Sequence, residues 1–160
     1  MTNIIMQRHH GTDTSKQSYA ASSSFGSQLI VNGTFPANVT AGWTNISTGT
    51  GTVTWKSAGV VWLTYVDASD LGGLRQGPVS IPEGTPCLLT VINGSGAAGT
   101  VKLGSTAAGT QYGTLSLPAG GGTTTLAFVI TGWLLYTDVV AASGGSSPLV
   151  LNSISITKAD

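Results

Sequence analysis

The sequence predicts an all-β domain, and three observations predict it. From residue 28 onward, Gly and Pro punctuate runs rich in Val, Ile, Thr, Trp and Tyr. No apolar stripe at the helical i, i+3, i+4 spacing runs through the chain. Where a period is clear it is twofold: Ile154 and Ile156 alternate with Ser153, Ser155 and Thr157, an apolar-in, polar-out code. Short strands at this spacing build a sandwich or a barrel.

The runs place strands at roughly 28–32, 41–46, 51–56, 59–66, 73–81, 86–92, 99–104, 111–117, 123–130, 133–141 and 149–157. The stretch GTVTWKSAGVVWLTYV (51–66) alternates on either side of Ser57-Ala58-Gly59, as two strands joined by a tight turn do. Val53 and Trp55 share one face of their strand, as do Val79 and Ile81, and Leu88, Thr90 and Ile92. VDASDLGG (66–73) reads as an Asx turn between strands, with Asp67 and Asp70 as its acids. LAFVITGWLLY (126–136) is apolar on both faces. Read as a hairpin, it is expected either at the centre of the sandwich or with its outer face against another subunit.

The chain divides near residue 28. Residues 1–27 hold both His residues and nearly all of a small polar tract, SYAASSSFGSQ (18–28), without a period long enough for a core element. They are expected to form an extended N-terminal arm that orders against a partner, with the sandwich over 28–160. A chain of 160 residues buries enough surface to fold without disulfides or a structural metal. The single Cys87, inside the apolar run PCLLTVI (86–92), agrees: it reads as a buried, inert thiol.

Charge is scarce. Six basic and six acidic residues cancel, and charged residues make up 8% of the chain against a typical ~25%. Nucleic-acid binding needs clustered Lys and Arg, and the nearest approach to a cluster is Arg8-His9-His10. No nucleic-acid partner is therefore expected. No membrane partner is expected either, because the run at 126–136 is far shorter than a ~20-residue span and Gly132 interrupts it. MTNIIMQRHH shows no secretory pattern, so the sequons at Asn32, Asn38, Asn45 and Asn93 read as products of a Ser/Thr-rich composition.

Catalytic constellations are missing from the pattern. His9 and His10 fall in the arm, Glu83 sits in a turn (IPEGT), and Asp138 in YTDVV is expected to face solvent or a neighbour. No P-loop, GxSxG or CxxC motif occurs, and LGG, AGGGT and SGGSS read as turn glycines. No enzyme activity, cofactor or metal site is expected.

Read in order, LIVNGTF (29–35), GWT (42–44), LRQGPVSIPEGTPCLLTV (74–91) and PLVLNSISITK (148–158) form a pattern. It resembles the carbohydrate-binding modules of the CBM4/9 type, which belong to the galactose-binding-like sandwiches. The resemblance spans 28–158 and implies a jelly-roll β-sandwich. Cys87 stands where such modules commonly carry Tyr, and Asn152 stands where they carry Asp. With no acid beside NGTF either, the carboxylates that a calcium site requires are missing.

The chain is also similar to small modules of phage tail fibres, receptor-binding proteins and capsid decoration proteins, and MQRHHGT (6–12) resembles a segment near the start of some fibre proteins. The resemblance implies a structural protein of the virion surface, foremost a capsid decoration (cement) protein. In that role Arg8, His9, His10 and Lys16 of the arm would meet acidic groups of a major capsid protein or other virion protein. The apolar outer faces would close a homotrimer. The alternatives are a small tail or fibre adaptor and a carbohydrate-binding module. In the latter, Trp43 and Trp62 are the candidates for stacking on surface glycans, set against the core role usual for Trp. LIVNGTFPANVTAGWT itself is expected to be first strand and turn, with Gly33 letting the backbone turn, Phe35 capping the core and Trp43 filling it.

Overall fold

The computed structural model describes residues 25–143 and 147–159, so the expected arm lies outside it but for its last three residues. In chain order the strands are β1 (Phe25–Gln28), β2 (Thr44–Asn45), β3 (Val53–Ser57), β4 (Val60–Leu63), β5 (Tyr65–Asp67), β6 (Asp70–Leu71) and β7 (Gly73–Ser80). They continue with β8 (Pro86–Gly94), β9 (Ala98–Gly104), β10 (Gly113–Leu117), β11 (Gly122–Val129), β12 (Leu134–Ser143) and β13 (Leu149–Ala159). Among the described residues there is no helix.

Two antiparallel sheets face each other. The six-stranded sheet runs β11-β8-β13-β4-β3 with β1 added on β13, and the five-stranded sheet runs β10-β9-β12-β7-β2. Consecutive strands such as β8 and β9, or β11 and β12, fall in opposite sheets, which is the jelly-roll pattern. The sequence explains the burial strand by strand. In β8, Cys87, Leu89 and Val91 face inward and are at most 1% exposed, while Leu88, Thr90 and Ile92 alternate outward. In β13, Ile154 and Ile156 point in. In β9 and β10 the inward residues are Val101, Leu103, Leu115 and Leu117.

The turn at 57–59 joins β3 and β4 as expected, with Ser57 paired to Val60. Asp67 makes the Asx turn between β5 and β6: its Oδ1 accepts the Ser69 amide (2.8 Å), the Ser69 hydroxyl (2.7 Å) and the Asp70 amide (3.1 Å). These bonds, the Ser69 hydroxyl first, hold the Asp67 carboxyl below its ordinary range.

Two expectations are corrected. The apolar run 126–136 is not one hairpin. β11 lies at the edge of the six-stranded sheet and β12 in the middle of the five-stranded one. The link between them, with Ile130 fully buried, crosses the sandwich, whose sheets pack ~10 Å apart.

The second correction concerns the opening strand. Pairing with β13 occurs at 25–28, three residues earlier than expected, and residues 29–35 form a strap between the sheets. The Leu29 amide donates to Ile156 O (2.7 Å), and the Ile154 amide donates to Gly33 O (2.8 Å). From the opposite sheet, the Gln76 side chain pairs with Val31 as a strand would: Oε1 accepts the Val31 amide (2.7 Å) and Nε2 donates to Val31 O (2.8 Å). Asn32 (φ 53°) and Phe35 (φ 47°) turn the backbone, whereas Gly33 serves close approach. A Cβ at Gly33 would stand 2.0 Å from the Ile154 carbonyl oxygen. Phe35 is fully buried, with its ring centroid 5.9 Å from that of Trp43.

Gly33→Ala is therefore expected to destabilise the fold by more than about 3 kcal/mol, because the clash is with backbone. Gly120→Ala, where a Cβ meets nothing within 4 Å, should stay within about 0.5 kcal/mol. Gln76→Ala removes both side-chain partners of the part-buried Val31 backbone groups and should cost about 1–3 kcal/mol. Urea unfolding of the three variants against the unaltered chain measures all of these.

Candidate functional site

The charged groups of the five-stranded sheet gather on its outer face. Val139 points to the core, so its neighbour Asp138 points away from it, together with Tyr136 two residues earlier. The register extends this across the sheet. Asp138 pairs with Arg75 on β7 and with Lys102 on β9; Arg75 pairs with Thr44 on β2, and Lys102 with Thr114 on β10. Thr100 and Ser116 form the next outward pair. On the other face of the same strands lie Leu74, Val101, Val139 and Leu115.

Asp138, expected to face solvent or a neighbour, is turned away from solvent at 3% exposed. Arg75 holds it through both arms of the fork, Nε to Oδ1 at 2.7 Å and a terminal nitrogen to Oδ2 at 2.6 Å. The Ala108 amide adds a third bond to Oδ2 at 3.1 Å. Burial is tolerated because the carboxylate is paired bidentately and receives a further donor. The same bonds push the Arg75 guanidinium above its ordinary pKa, with burial opposing. Ala108 takes φ 60° to present its amide, so the 105–110 loop is tied down onto the sheet at some backbone cost.

At one end of β12 the face opens onto exposed apolar side chains. Trp133 is 67% exposed and Leu134 37%. Their backbone is fixed: Trp133 O accepts the Ile81 amide (3.0 Å), and Leu134 O accepts the Tyr112 hydroxyl (2.8 Å). The result is a rigid, open surface with an aromatic ring, a guanidinium with unused donors, an ammonium and several hydroxyls. Such a set suits polar rings that stack and accept hydrogen bonds.

A nucleophile with an adjacent base is missing among the described residues. Burial pushes the Cys87 thiol up to about 11. Asp67 and Asp70 are engaged with turn and neighbouring groups: Asp70 accepts the Thr50 amide and hydroxyl, both at 2.9 Å. No three His, Cys, Asp or Glu side chains among the described residues come together.

The residues singled out from sequence do not form one site. Arg8, His9, His10 and Lys16 lie outside the described residues. Trp43 is 6% exposed, packed on Phe35 and donating from Nε1 to Asn32 O (3.3 Å), so it offers no face for stacking. Of the two roles weighed for it, Trp43 takes the one in the core. Trp62 is half-exposed on the outer face of the six-stranded sheet, between Thr54 and Val150, with Lys56 Nζ 4.3 Å above the ring. Arg75, Lys102 and Asp138 do not stand out as a group in the sequence. The one signal is the i, i+2 spacing of Tyr136 and Asp138, which sets both on one face of a strand.

No family model and no curated protein matches this chain. Solved structures do. A CBM4 structure superposes with TM-score 0.61 at 14% identity, covering 81% of this chain and 99% of that one. The second N-terminal cellulose-binding domain of β-1,4-glucanase C from Cellulomonas fimi gives 0.53 at 16%, covering 83% and 95%. The enzymatically active domain of tailspike protein 4 from bacteriophage CBA120 gives 0.58 at 12%, covering 82% of this chain but 21% of that chain. The shared feature is the jelly-roll sandwich fold.

Two measurements test this geometry. Asp138→Ala leaves Arg75 and the Ala108 amide without their acceptor and should cost about 1–3 kcal/mol in urea unfolding. It should also speed amide exchange at Ala108. For Cys87, the folded thiol ionises at about 11 against an ordinary 9.0. Its contribution to stability is thus full below pH 9 and is lost as pH rises toward 11. Thiol-reagent labelling at about pH 8, below the ordinary thiol range, should be slow in the native chain and fast in urea.

Proposed function

We propose that this chain is a non-catalytic glycan-binding module whose binding face is the outer surface of the five-stranded sheet. One observation carries the reading. In a chain with 8% charged residues, the described ion pair, a further Lys and an outward Tyr share one rigid sheet face. Tyr136 supplies the stacking ring, helped at the rim by Trp133. Arg75 and Lys102 donate to sugar hydroxyls, with Asp138 fixing the guanidinium plane. The likeness to a CBM4 module and a cellulose-binding domain supports a carbohydrate ligand.

A place on a virion surface is a second reading, supported by the likeness to the phage tailspike domain. Attachment to a capsid through Arg8, His9, His10 and Lys16 would be an added role of the arm, separate from the sheet face. The two readings are compatible, since a particle-borne module would display glycan-binding faces outward. Immunogold labelling of purified particles tests the location: gold on the particle surface supports it, and unlabelled particles reject it.

A glycan array followed by calorimetry on the strongest hit tests the binding reading. Tyr136→Ala should weaken binding at least about tenfold, equivalent to ~1.4 kcal/mol, with unchanged circular dichroism. Trp62→Ala should leave affinity as it was. Binding that is lost in Trp62→Ala and kept in Tyr136→Ala would move the site to the other sheet.

A further inference from the structure

The lateral edges of the two sheets are not alike, and β1, at the side of β13, is four residues long with a register shift between Phe25 and Ser27. β2 is two residues long. β3 carries Lys56 and a register shift between Trp55 and Ser57. β10 is five residues long, opening at Gly113 with φ 143° and running into Pro118. Brevity, a charge, a bulge and flanking Gly and Pro are the devices that keep an edge from pairing. β11 shares the opening Gly, Gly122 with φ 136°, but over residues 123–129 it has no charge, no Pro and no register shift. It is eight residues, GTTTLAFV, in unbroken register with β8, and residues 103–137 carry no charged side chain. Among the described residues no strand pairs with its far edge.

We propose that β11 is an assembly edge that pairs antiparallel with β11 of a second copy of this chain. The choice of partner rests on the strand itself. An uncharged edge meets its own copy without like-charge repulsion, and a two-fold axis makes the same backbone row donor and acceptor on both sides. Inward residues must stay inward, so the axis passes through a residue rather than between two. Centred on Thr125, it sets Thr123 of one copy against Ala127 of the other. Thr124, Leu126 and Phe128 then extend the inner face across the junction, while Thr125, Ala127 and the exposed Val129 extend the outer one. Such a contact closes as a dimer, not as the homotrimer expected from the virion resemblance.

Sedimentation of the full chain over a concentration series tests this, alongside a Thr125→Lys/Ala127→Lys variant. The mass should rise from 16.1 kDa toward twice that value, and the double variant should remain at 16.1 kDa with unchanged circular dichroism. Both positions are exposed. Should the variant misfold, hydrogen exchange on the unaltered chain decides: β11 amides slowed at high concentration support the pairing, and unchanged rates overturn it. A monomer at every soluble concentration, a trimer, or a dimer that survives the double variant also overturns it. So does a dimer that vanishes when residues 1–24 are deleted, since the arm would then be the occupant.

Discussion

The two hydrogen bonds between the Gln76 side chain and the Val31 backbone N–H and C=O tie the opening strap to the five-stranded sheet. Sheets pack through apolar contact, which is non-directional and leaves their relative slide free. The strap at 29–35 removes that freedom. It is bonded to β13 through Leu29 and Gly33 and to β7 through Gln76, so each sheet is referenced to the other by directional bonds. Phe35 and Trp43 then seal the opening it spans. Left-handed φ at Phe35 is disfavoured by about 1–2 kcal/mol, and burial of the whole ring, worth roughly 1.5–3 kcal/mol, offsets it.

The same stretch of β7 does a second job on its other face. Gln76 points inward to the strap and Arg75, one residue earlier, points outward to Asp138. Structure and candidate site are therefore coupled through one backbone register, that of β7 on β12. A slip of one residue would turn an ion pair into the core and an amide clamp into solvent. Scarcity of charge sharpens this. With few other charged groups to compete, Asp138 finds one matched cation, and the fixed guanidinium plane becomes a feature of the surface rather than a mobile side chain.

Much of the fold is legible in the sequence because it rests on period and turn chemistry. The alternation in Ser153–Thr157, the hairpin at 57–59 and the Asx turn at Asp67 are set by residues close in sequence. The strap is not legible. Leu29, Ile30 and Val31 read as strand by propensity, and the group that diverts them is a side chain 45 residues away. Nor does a twofold period say which sheet a strand joins, so β11 and β12 read as one hairpin while lying in opposite sheets. At the site, the Tyr136–Asp138 spacing marks the face, but the identity of the partner requires the pairing of β12 with β7. The Trp residues are the least legible. Trp43 is core, whereas Trp55, Trp62 and Trp133 are 37%, 37% and 67% exposed, and their flanking sequences do not distinguish them.

The placement of β11 relative to the candidate face has a geometric consequence. β11 belongs to the six-stranded sheet, and the proposed glycan-binding face belongs to the other. A two-fold axis through β11, perpendicular to its sheet, keeps both five-stranded sheets on the same side of the joined sheet. Their outer faces then point in the same direction. In the proposed dimer, two such faces on one side would reach neighbouring residues of one polymer together. The second contact is made at the effective concentration set by that spacing rather than by the bulk. A small, shallow face with one stacking ring thus need not bind tightly by itself. The uncharged edge and the charged face are complementary parts of one arrangement, because a charged β11 would hold the two faces apart.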